Sequence, residues 1–195
     1  TADFSFEIPP APESLPMPDL TPGPNTDERV PVAACYFVDN INGSDSNSGI
    51  KDAPLKTIAF ALSKCNGVDL IEIQLVNNAG TPYNEYNLIL KSNVTITSER
   101  TLPRPKATIK GNGTDPVFIC NGVTGVNFDH LIIDNANGGS RGGTGILMYN
   151  YGTVQALKGD VRGFTLTIKN CSKGVEMQNG YLEIVGDQES GSSEM

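Results

Sequence analysis

The sequence predicts an all-β fold of short stacked strands, a β-solenoid, with a single short helix near its N-terminal end. Three observations lead to this class: a short motif that occurs twice at a regular spacing, a long series of strand-like segments separated by Gly, Asn and Asp, and only one segment with helical spacing. No second helix interrupts the strand-like segments, so a doubly wound α/β sheet is not expected.

The N-terminal residues 1–34 are predicted to form a Pro-rich, acidic, extended linker or arm. Residues 1–31 contain eight of the 13 prolines of the chain. Proline has no backbone N–H to donate to a helix or sheet, so this stretch is expected to lack regular structure. The alternative interpretation is a strap that lies on a neighbouring chain.

The first strand and the helix are predicted close together. Residues 35–38 are aromatic and β-branched, which favours a strand, and a polar loop follows them. A helix is predicted over residues 55–65, and Gly67 lies just past its end as a stop signal. The apolar positions with helical spacing are Leu55, Ile58, Ala59, Leu62 and Cys65.

After Gly67 the chain has the pattern of short strands throughout. The predicted strands are at residues 70–76, 87–90, 94–97, 107–109 and 117–120.

A repeated motif decides the predicted architecture. The pattern L-x-I-x-N occurs at residues 131–135 and 166–170, an offset of 166 − 131 = 35, and each copy is followed by G-[IV]-x-M. Val94 opens a similar segment 131 − 94 = 37 residues earlier. Such spacing is typical of a solenoid, in which Leu131 would stack on Leu166 and Asn135 on Asn170.

The opening of the folded region resembles a known superfamily. Residues 36–39 (Y-F-V-D), 42–49 (N-G-S-D-S-N-S-G), 54–58 (P-L-K-T-I) and 80–85 (G-T-P-Y-N-E) follow one another in order. This series is similar to the N-terminal portion of the pectate-lyase-like right-handed parallel β-helix superfamily. The resemblance covers residues 36–185 and is specific for the fold but weak for function.

The resemblance implies an all-β, right-handed parallel β-helix with a short N-terminal capping α-helix. The domain would comprise residues 35–186, with the helix near 55–65 covering one open end. Residues 187–195 would be a polar acidic tail. Because no second amphipathic cap is visible, we expect the natural chain to continue or a partner chain to cover the other end.

No catalytic motif is recognisable among the polar residues. The candidates for acid–base chemistry are Asp129, His130, Asp134, Arg141, Lys158, Asp160 and Arg162. None of them lies in a paired-Asp, Gly-His-Gly or Arg-x-Lys signature, so we predict no catalytic residue. His130 is the only histidine, which excludes a metal site built from several histidines of this chain.

No cofactor is predicted. The loop from Asp39 to Gly49 offers oxygen atoms of the kind that calcium prefers, but its spacing does not match an EF-hand. A turn stabilised by its own Asn, Asp and Ser side chains is the favoured interpretation, and calcium is the weaker alternative.

The cysteines and sequons indicate a secretory origin. Four cysteines without a C-x-x-C pair favour disulfides over zinc, and we predict a Cys35–Cys65 bond while the pairing of Cys120 and Cys171 stays open. Four N-x-S/T sequons are present. Glycans are predicted at Asn42, Asn93 and Asn112, but not at Asn170, whose side chain is expected to face inward.

The predicted function is that of an extracellular structural or adhesive module of a secreted or cell-surface glycoprotein. The partners would be other protein chains or further coils of the same protein, and polysaccharide is a second partner class. The net charge of −8 and the absence of a basic patch exclude nucleic acid, and no apolar run is long enough for a membrane span. The alternatives are the N-terminal part of a polysaccharide lyase or glycoside hydrolase with catalytic coils beyond residue 195, and a non-catalytic carbohydrate-binding β-helix.

Overall fold

The computed structural model describes residues 34–101, 103–150, 152–156, 166–178 and 180–184. The predicted arm at 1–34, apart from Ala34, and the predicted tail at 187–195 therefore lie outside the described residues. Within the described residues there are fifteen strands and one α-helix. They are β1 (Ala34–Val38), α1 (Ile58–Ser63), β2 (Ile71–Leu75), β3 (Tyr83–Asn84), β4 (Leu88–Ile89), β5 (Val94–Ser98), β6 (Ala107–Lys110), β7 (Phe118–Asn121), β8 (Val126–Asp129), β9 (Leu131–Asp134), β10 (Ala136–Asn137), β11 (Ser140–Tyr149), β12 (Gly152–Ala156), β13 (Leu166–Lys169), β14 (Cys171–Met177) and β15 (Gly180–Ile184).

The helix α1 is shorter than the predicted range 55–65. Leu55 is extended and forms a parallel bridge with Val38, so the helix cannot begin there. Thr57 is the N-cap, and its side chain accepts a hydrogen bond from the Phe60 N–H. The carboxylate of Glu85 accepts from the N–H groups of the first two helical residues at 2.8 and 2.9 Å. These contacts satisfy the free N–H groups at the start of the helix.

The strands are distributed among three sheets. A six-stranded sheet has the order β1-β2-β5-β8-β12-β15, and a four-stranded sheet has the order β13-β9-β6-β3. The third sheet has the order β10-β11-β7-β4, and β14 also pairs with β11. All pairings are parallel except that of β10 with β11, which is antiparallel.

The register inferred from the repeated motif is confirmed. In the parallel pair β9–β13, Leu131 lies opposite Leu166 and Ile133 lies opposite Ile168. The following G-[IV]-x-M segments also pair, because Ile146 lies opposite Val175. The third member was assigned wrongly: the strand of Val94 belongs to the six-stranded sheet, and β6 is the strand beside β9.

The predicted class, an all-β right-handed parallel β-helix, is wrong for this structure. The described strands do not define a solenoid: they form three short sheets, one of them mixed, and strands of two residues such as β3 and β4 contribute little continuous ladder. The motif covers only two neighbouring strand pairs. Such a local pattern fixes neighbours and register, but it does not determine how the whole chain winds. The fold is mostly β with one six-residue helix in the described residues.

The expected stacking of Asn135 on Asn170 is also wrong. Asn135 is completely buried: its Oδ1 accepts from Gly113 N at 2.8 Å, and its Nδ2 donates to the Asp115 and Thr144 carbonyls at 2.8 and 2.9 Å. Asn170 is exposed and has a φ of 57°, a turn conformation that directs the chain into β14. The second motif therefore ends in a turn at the protein surface, so its amide does not face the core.

Candidate functional site on the six-stranded sheet

Polar side chains form two rows across three neighbouring strands of the six-stranded sheet. Residues at alternate positions of a strand share a face, and the parallel register places the alternate polar residues of β2, β5 and β8 side by side. We call these six residues the polar face. The rows are Glu72, Thr95 and Asn127, and Gln74, Thr97 and Asp129.

Two arginines from the segment after β5 bind this polar face. Arg100 forms a bidentate pair with Glu72, with Nε–Oε1 and Nη2–Oε2 distances of 3.0 and 2.7 Å. Arg104 Nη2 donates to Asp129 Oδ2 and, at 2.8 Å, to Thr97 Oγ1. Arg100 Nη1 also lies 3.7 Å from Asp129 Oδ2. Two carboxylates and two guanidinium groups therefore form one network of balanced charge.

The electrostatics of the Glu72–Arg100 pair keep both groups ionised. Burial by itself raises the pKa of Glu72, but hydrogen bonds from Arg100 and its positive charge outweigh burial, so the pKa lies below its usual value. The hydrogen bonds to Glu72 raise the pKa of Arg100, although burial opposes this. Planar bidentate pairing of this kind is the strong form of a charge-assisted hydrogen bond.

Three buried polar atoms in this region have no hydrogen-bond partner among the described residues. They are Arg104 Nε, Asn127 Oδ1 and Asp129 Oδ1. Buried polar atoms are normally paired, and each unpaired one costs free energy. The polar face and Arg104 thus retain two acceptors and one donor that no described residue uses.

The structure places only one predicted chemical candidate in this network. Asp129 lies within it, whereas His130 is the corner residue between β8 and β9, with a φ of 56° and Nε2 at 2.6 Å from the Arg104 carbonyl oxygen. Asp134 contacts Asn170 and Lys169, and Arg141 is exposed at the start of β11. Lys158, Asp160 and Arg162 lie outside the described residues.

The sequence interpretation missed most of the polar face, although a signal was available. The strands β2, β5 and β8 carry the patterns E-x-Q, T-x-T and N-x-D, each with two polar residues at a spacing of two. Alternating polarity of this kind indicates a common face. The participation of Arg100 and Arg104 could not be inferred, because they belong to an irregular segment whose path depends on the folded chain.

The loop from Asp39 to Gly49 is stabilised by its own side chains and by its neighbours. Asp39 Oδ1 accepts from the backbone N–H groups of Ile41 and Asn42 at 2.9 and 2.8 Å and from Asn78 Nδ2 at 2.8 Å. Asp45 binds the N–H and hydroxyl groups of Thr57. Burial raises the pKa of Asp39, but the hydrogen bonds prevail and lower it. Within the described residues, no three His, Cys, Asp or Glu side chains are placed to hold a metal ion.

The four sequons differ in their surroundings. Asn42 and Asn112 are exposed. Asn93 is half-buried, and its Nδ2 donates to the Val68 carbonyl at 2.9 Å. Asn170, for which an inward orientation was expected, is exposed and donates to Asp134 Oδ1 at 3.0 Å.

None of the four cysteines forms a disulfide bond in this structure. Cys35 is exposed on β1, and Cys65 is buried after α1 with its thiol directed to the Ala61 carbonyl at 3.4 Å. Burial raises the pKa of Cys65 to about 11, so it is an unreactive thiol at neutral pH. The Cys35–Cys65 disulfide stays a prediction for the oxidised protein.

Comparison with known proteins gives little further information. No family model and no curated protein matches the chain. The native form of a GH136 lacto-N-biosidase from Eubacterium ramulus is similar with 16% sequence identity and a TM-score of 0.42, over 77% of this chain and 34% of that one. Its selenomethionine derivative gives the same identity and coverage with a TM-score of 0.46.

The present chain spans about a third of the length of these two structures. Similarity at this level carries no argument about fold or function, and the pectate-lyase-like resemblance stays a prediction. In the part of the chain that the structure describes, no helix is long and apolar enough to cross a bilayer.

Proposed function

We propose that this chain is an extracellular structural or adhesive module of a secreted or cell-surface glycoprotein, which presents a fixed surface to partner chains. One observation carries the proposal: the charged groups of the polar face neutralise each other within the chain. Glu72 is paired with Arg100, and Asp129 contacts both Arg100 and Arg104. A face organised in this way has its carboxylates held by arginines of the same chain, and the pKa of Glu72 is lowered rather than raised.

The chemistry of carbohydrate-cleaving enzymes supports this choice by contrast. A glycoside hydrolase needs one carboxylic acid whose pKa is raised, so that it can protonate the leaving group. Arg100 has the opposite effect on Glu72 and lowers its pKa. A lyase needs a base that can lose its proton near neutral pH. The guanidinium of Arg100 has a raised pKa and remains charged.

An activity assay tests the expectation that the polar face does not cleave polysaccharides. The purified chain is incubated with uronic-acid polymers and neutral polysaccharides, and unsaturated products and new reducing ends are measured. We expect no product from the wild-type chain or from Glu72→Gln. Product that disappears in Glu72→Gln, but persists in the control Glu176→Gln on β14, would show that the polar face is an active site.

Secretion tests the extracellular part of the proposal. The chain is expressed in a eukaryotic host behind a signal sequence and analysed by peptide mapping with and without reduction. We expect glycans at the exposed Asn42 and Asn112 and a Cys35–Cys65 disulfide, which would close a loop and stabilise the domain by about 3 kcal/mol. Aggregated product with unmodified sequons and both thiols free would contradict the proposal.

Carbohydrate binding without cleavage is a second candidate, and the three unpaired atoms favour it. Sugar hydroxyl groups donate and accept hydrogen bonds, and the polar face retains the Arg104 donor and the Asn127 and Asp129 acceptors. Arg100, whose side chain is 39% exposed, would have to move aside. Titration with oligosaccharides should then show binding that Asn127→Ala weakens. No binding by the wild-type chain or by the Asn127→Ala variant would reject this candidate.

A further inference from the structure

The structure singles out one of six Asn-Gly sequences as a site of spontaneous covalent modification. We propose that the Asn137–Gly138 peptide at the β10–β11 turn cyclises to a succinimide and yields aspartate and isoaspartate, whereas the other described Asn-Gly pairs resist this reaction. Sequence alone treats them alike, because each places the same small residue after an asparagine. The folded structure separates them by their hydrogen bonds.

The Asn137–Gly138 pair lies at the tip of a two-residue hairpin. Asn137 lies opposite Ser140 in the antiparallel pair, and the two connecting glycines have φ values of 55° and 88°. Asn137 and both glycines are exposed, and a Cβ at either glycine would meet no atom within 4 Å. The Asn137 side chain forms no hydrogen bond with a described residue. The tip can therefore change conformation without breaking a side-chain hydrogen bond to a described residue.

The amide side chains of two other pairs are held by their own turns. Asn66 Oδ1 accepts from the N–H groups of Val68 and Asp69 at 2.9 and 3.0 Å. Asn112 Oδ1 accepts from the N–H groups of Thr114 and Asp115 at 3.0 and 2.9 Å. In each case the reacting carbonyl would have to lose two hydrogen bonds.

The nucleophilic N–H of the following glycine is also engaged in three pairs. Gly43 N donates to the Asp39 carbonyl at 2.9 Å, and Gly122 N donates to the Tyr149 carbonyl at 3.1 Å. Gly113 N donates to the buried amide of Asn135 at 2.8 Å. Asn42–Gly43, Asn112–Gly113 and Asn121–Gly122 are therefore held away from the geometry of attack. The sixth pair, Asn179–Gly180, falls outside the comparison because Asn179 is not described.

The reaction needs only water besides the chain itself. The deprotonated Gly138 backbone nitrogen attacks Asn137 Cγ and forms a new C–N bond. The Asn137 Cγ–Nδ2 bond breaks, and Nδ2 takes up one proton, equal to the one that the Gly138 nitrogen lost, and leaves as ammonia. Water then opens the succinimide at one of its two carbonyls, which gives aspartate or isoaspartate. No electron is transferred.

The modification would change the hairpin in a defined way. A carboxylate replaces a neutral amide near Arg141, which lies opposite Ala136, the residue before Asn137. The isoaspartate product also adds a backbone methylene to β10, which disturbs the register of its two residue pairs. The effect is local, because β10 is a terminal strand of its sheet.

Ageing of the intact chain tests the proposal. The native protein and the same protein in urea are incubated in mildly alkaline buffer, and each Asn-Gly peptide is followed by mass spectrometry with separation of the isoaspartate form. In native protein produced without glycans in a bacterial host, we expect Asn137 to react at least about tenfold faster than Asn42, Asn66, Asn112 and Asn121, since about 1.4 kcal/mol of lost hydrogen bonding corresponds to that factor. In urea the five rates should become similar.

Two results would overturn the proposal. One is a native rate at any of the four held sites that equals the rate at Asn137. The other is an Asn137 that stays intact in the native chain while it reacts in urea, because the hairpin would then protect it. The variant Asn137→Gln serves as the control: the acidic and isoaspartate forms of the peptide that contains residue 137 should be lost, and the four other peptides should be unchanged.

Discussion

The two copies of the repeated motif lie side by side in the same sheet, but their burial differs. Leu131 and Ile133 of β9 are completely buried, whereas Leu166 and Ile168 of β13 are only partly buried. The difference arises because β9 has a partner on each side, β6 and β13, whereas β13 pairs only with β9 among the described strands. A sequence motif therefore specifies a register, and the number of neighbouring strands determines the burial.

The largest expected effect is a difference in the free energy of unfolding between alanine variants of Ile133 and Ile168. Ile133→Ala should lower the free energy of unfolding by about 2–5 kcal/mol, because it leaves a cavity in the core. Ile168→Ala should cost only about 1 kcal/mol, since part of its side chain already contacts water. Urea denaturation of both variants measures this difference. Equal losses would show that β13 is as well covered as β9.

The asparagines at the ends of the motifs should give a smaller contrast. Asn135→Ala removes three hydrogen bonds and leaves buried backbone groups unpaired, so the expected loss is about 1–3 kcal/mol. Asn170→Gly removes one exposed hydrogen bond and tolerates the φ of 57°, so it should change stability by less than about 0.5 kcal/mol. The same denaturation experiment applies. A large loss in Asn170→Gly would require this side chain to be buried in solution.

The part of this contrast that the sequence could predict is limited to neighbours and register. Leu131 and Leu166 could be paired because the spacing of their motifs is regular. The burial of Asn135 depends on Gly111, where a Cβ would approach its Oδ1 to 2.2 Å, and on carbonyls from two other segments. These long-range contacts leave no periodic signal, so the inward orientation of Asn170 was inferred wrongly by analogy.

The candidate site shows the same limit. Asp129 was among the chemical candidates, but its partners Arg104 and Thr97 were not, because they come from other parts of the chain. Alternating polar residues on β2, β5 and β8 could have indicated a common face. The pairing of that face with two arginines required knowledge of the path between β5 and β6.

The pH dependence of stability compares two acidic residues, the buried Glu72 and the partly buried Glu176. The pKa values of Glu72 and Glu176 both lie below their usual value, the first through Arg100 against the effect of burial and the second through Lys173 and Thr144. A depressed folded-state pKa means that the ionised carboxylate contributes stability above about pH 4.5, which is lost as the pH falls through the folded value.

The variants Glu72→Gln and Glu176→Gln test this contrast by urea denaturation between about pH 6 and about pH 3. Glu72→Gln should clearly reduce the loss of stability on acidification. Glu176→Gln should change it little, since solvent and salt screen its pair with Lys173, whose side chain is 58% exposed. An unchanged acid profile in Glu72→Gln would mean that the pair with Arg100 does not contribute to stability.

The ion pair between the two motifs should have the smallest effect. Lys169 Nζ lies 3.4 Å from Asp134 Oδ2, and the lysine side chain is 49% exposed. Lys169→Ala should lower the free energy of unfolding by less than about 1 kcal/mol, and added salt should remove the difference. A salt-independent loss would indicate that the Lys169 side chain stabilises β13 by packing.

Hydrogen exchange of the backbone amides in the two motifs tests most directly whether neighbouring strands determine their stability. Amides in a strand with two partners exchange only through large-scale opening, whereas an outer strand exchanges through local fraying. Exchange measured by mass spectrometry should therefore show strong protection for residues 131–134 and clearly weaker protection for residues 166–169. Equal protection of the two segments would contradict the account, because β13 would then be as firmly held as β9.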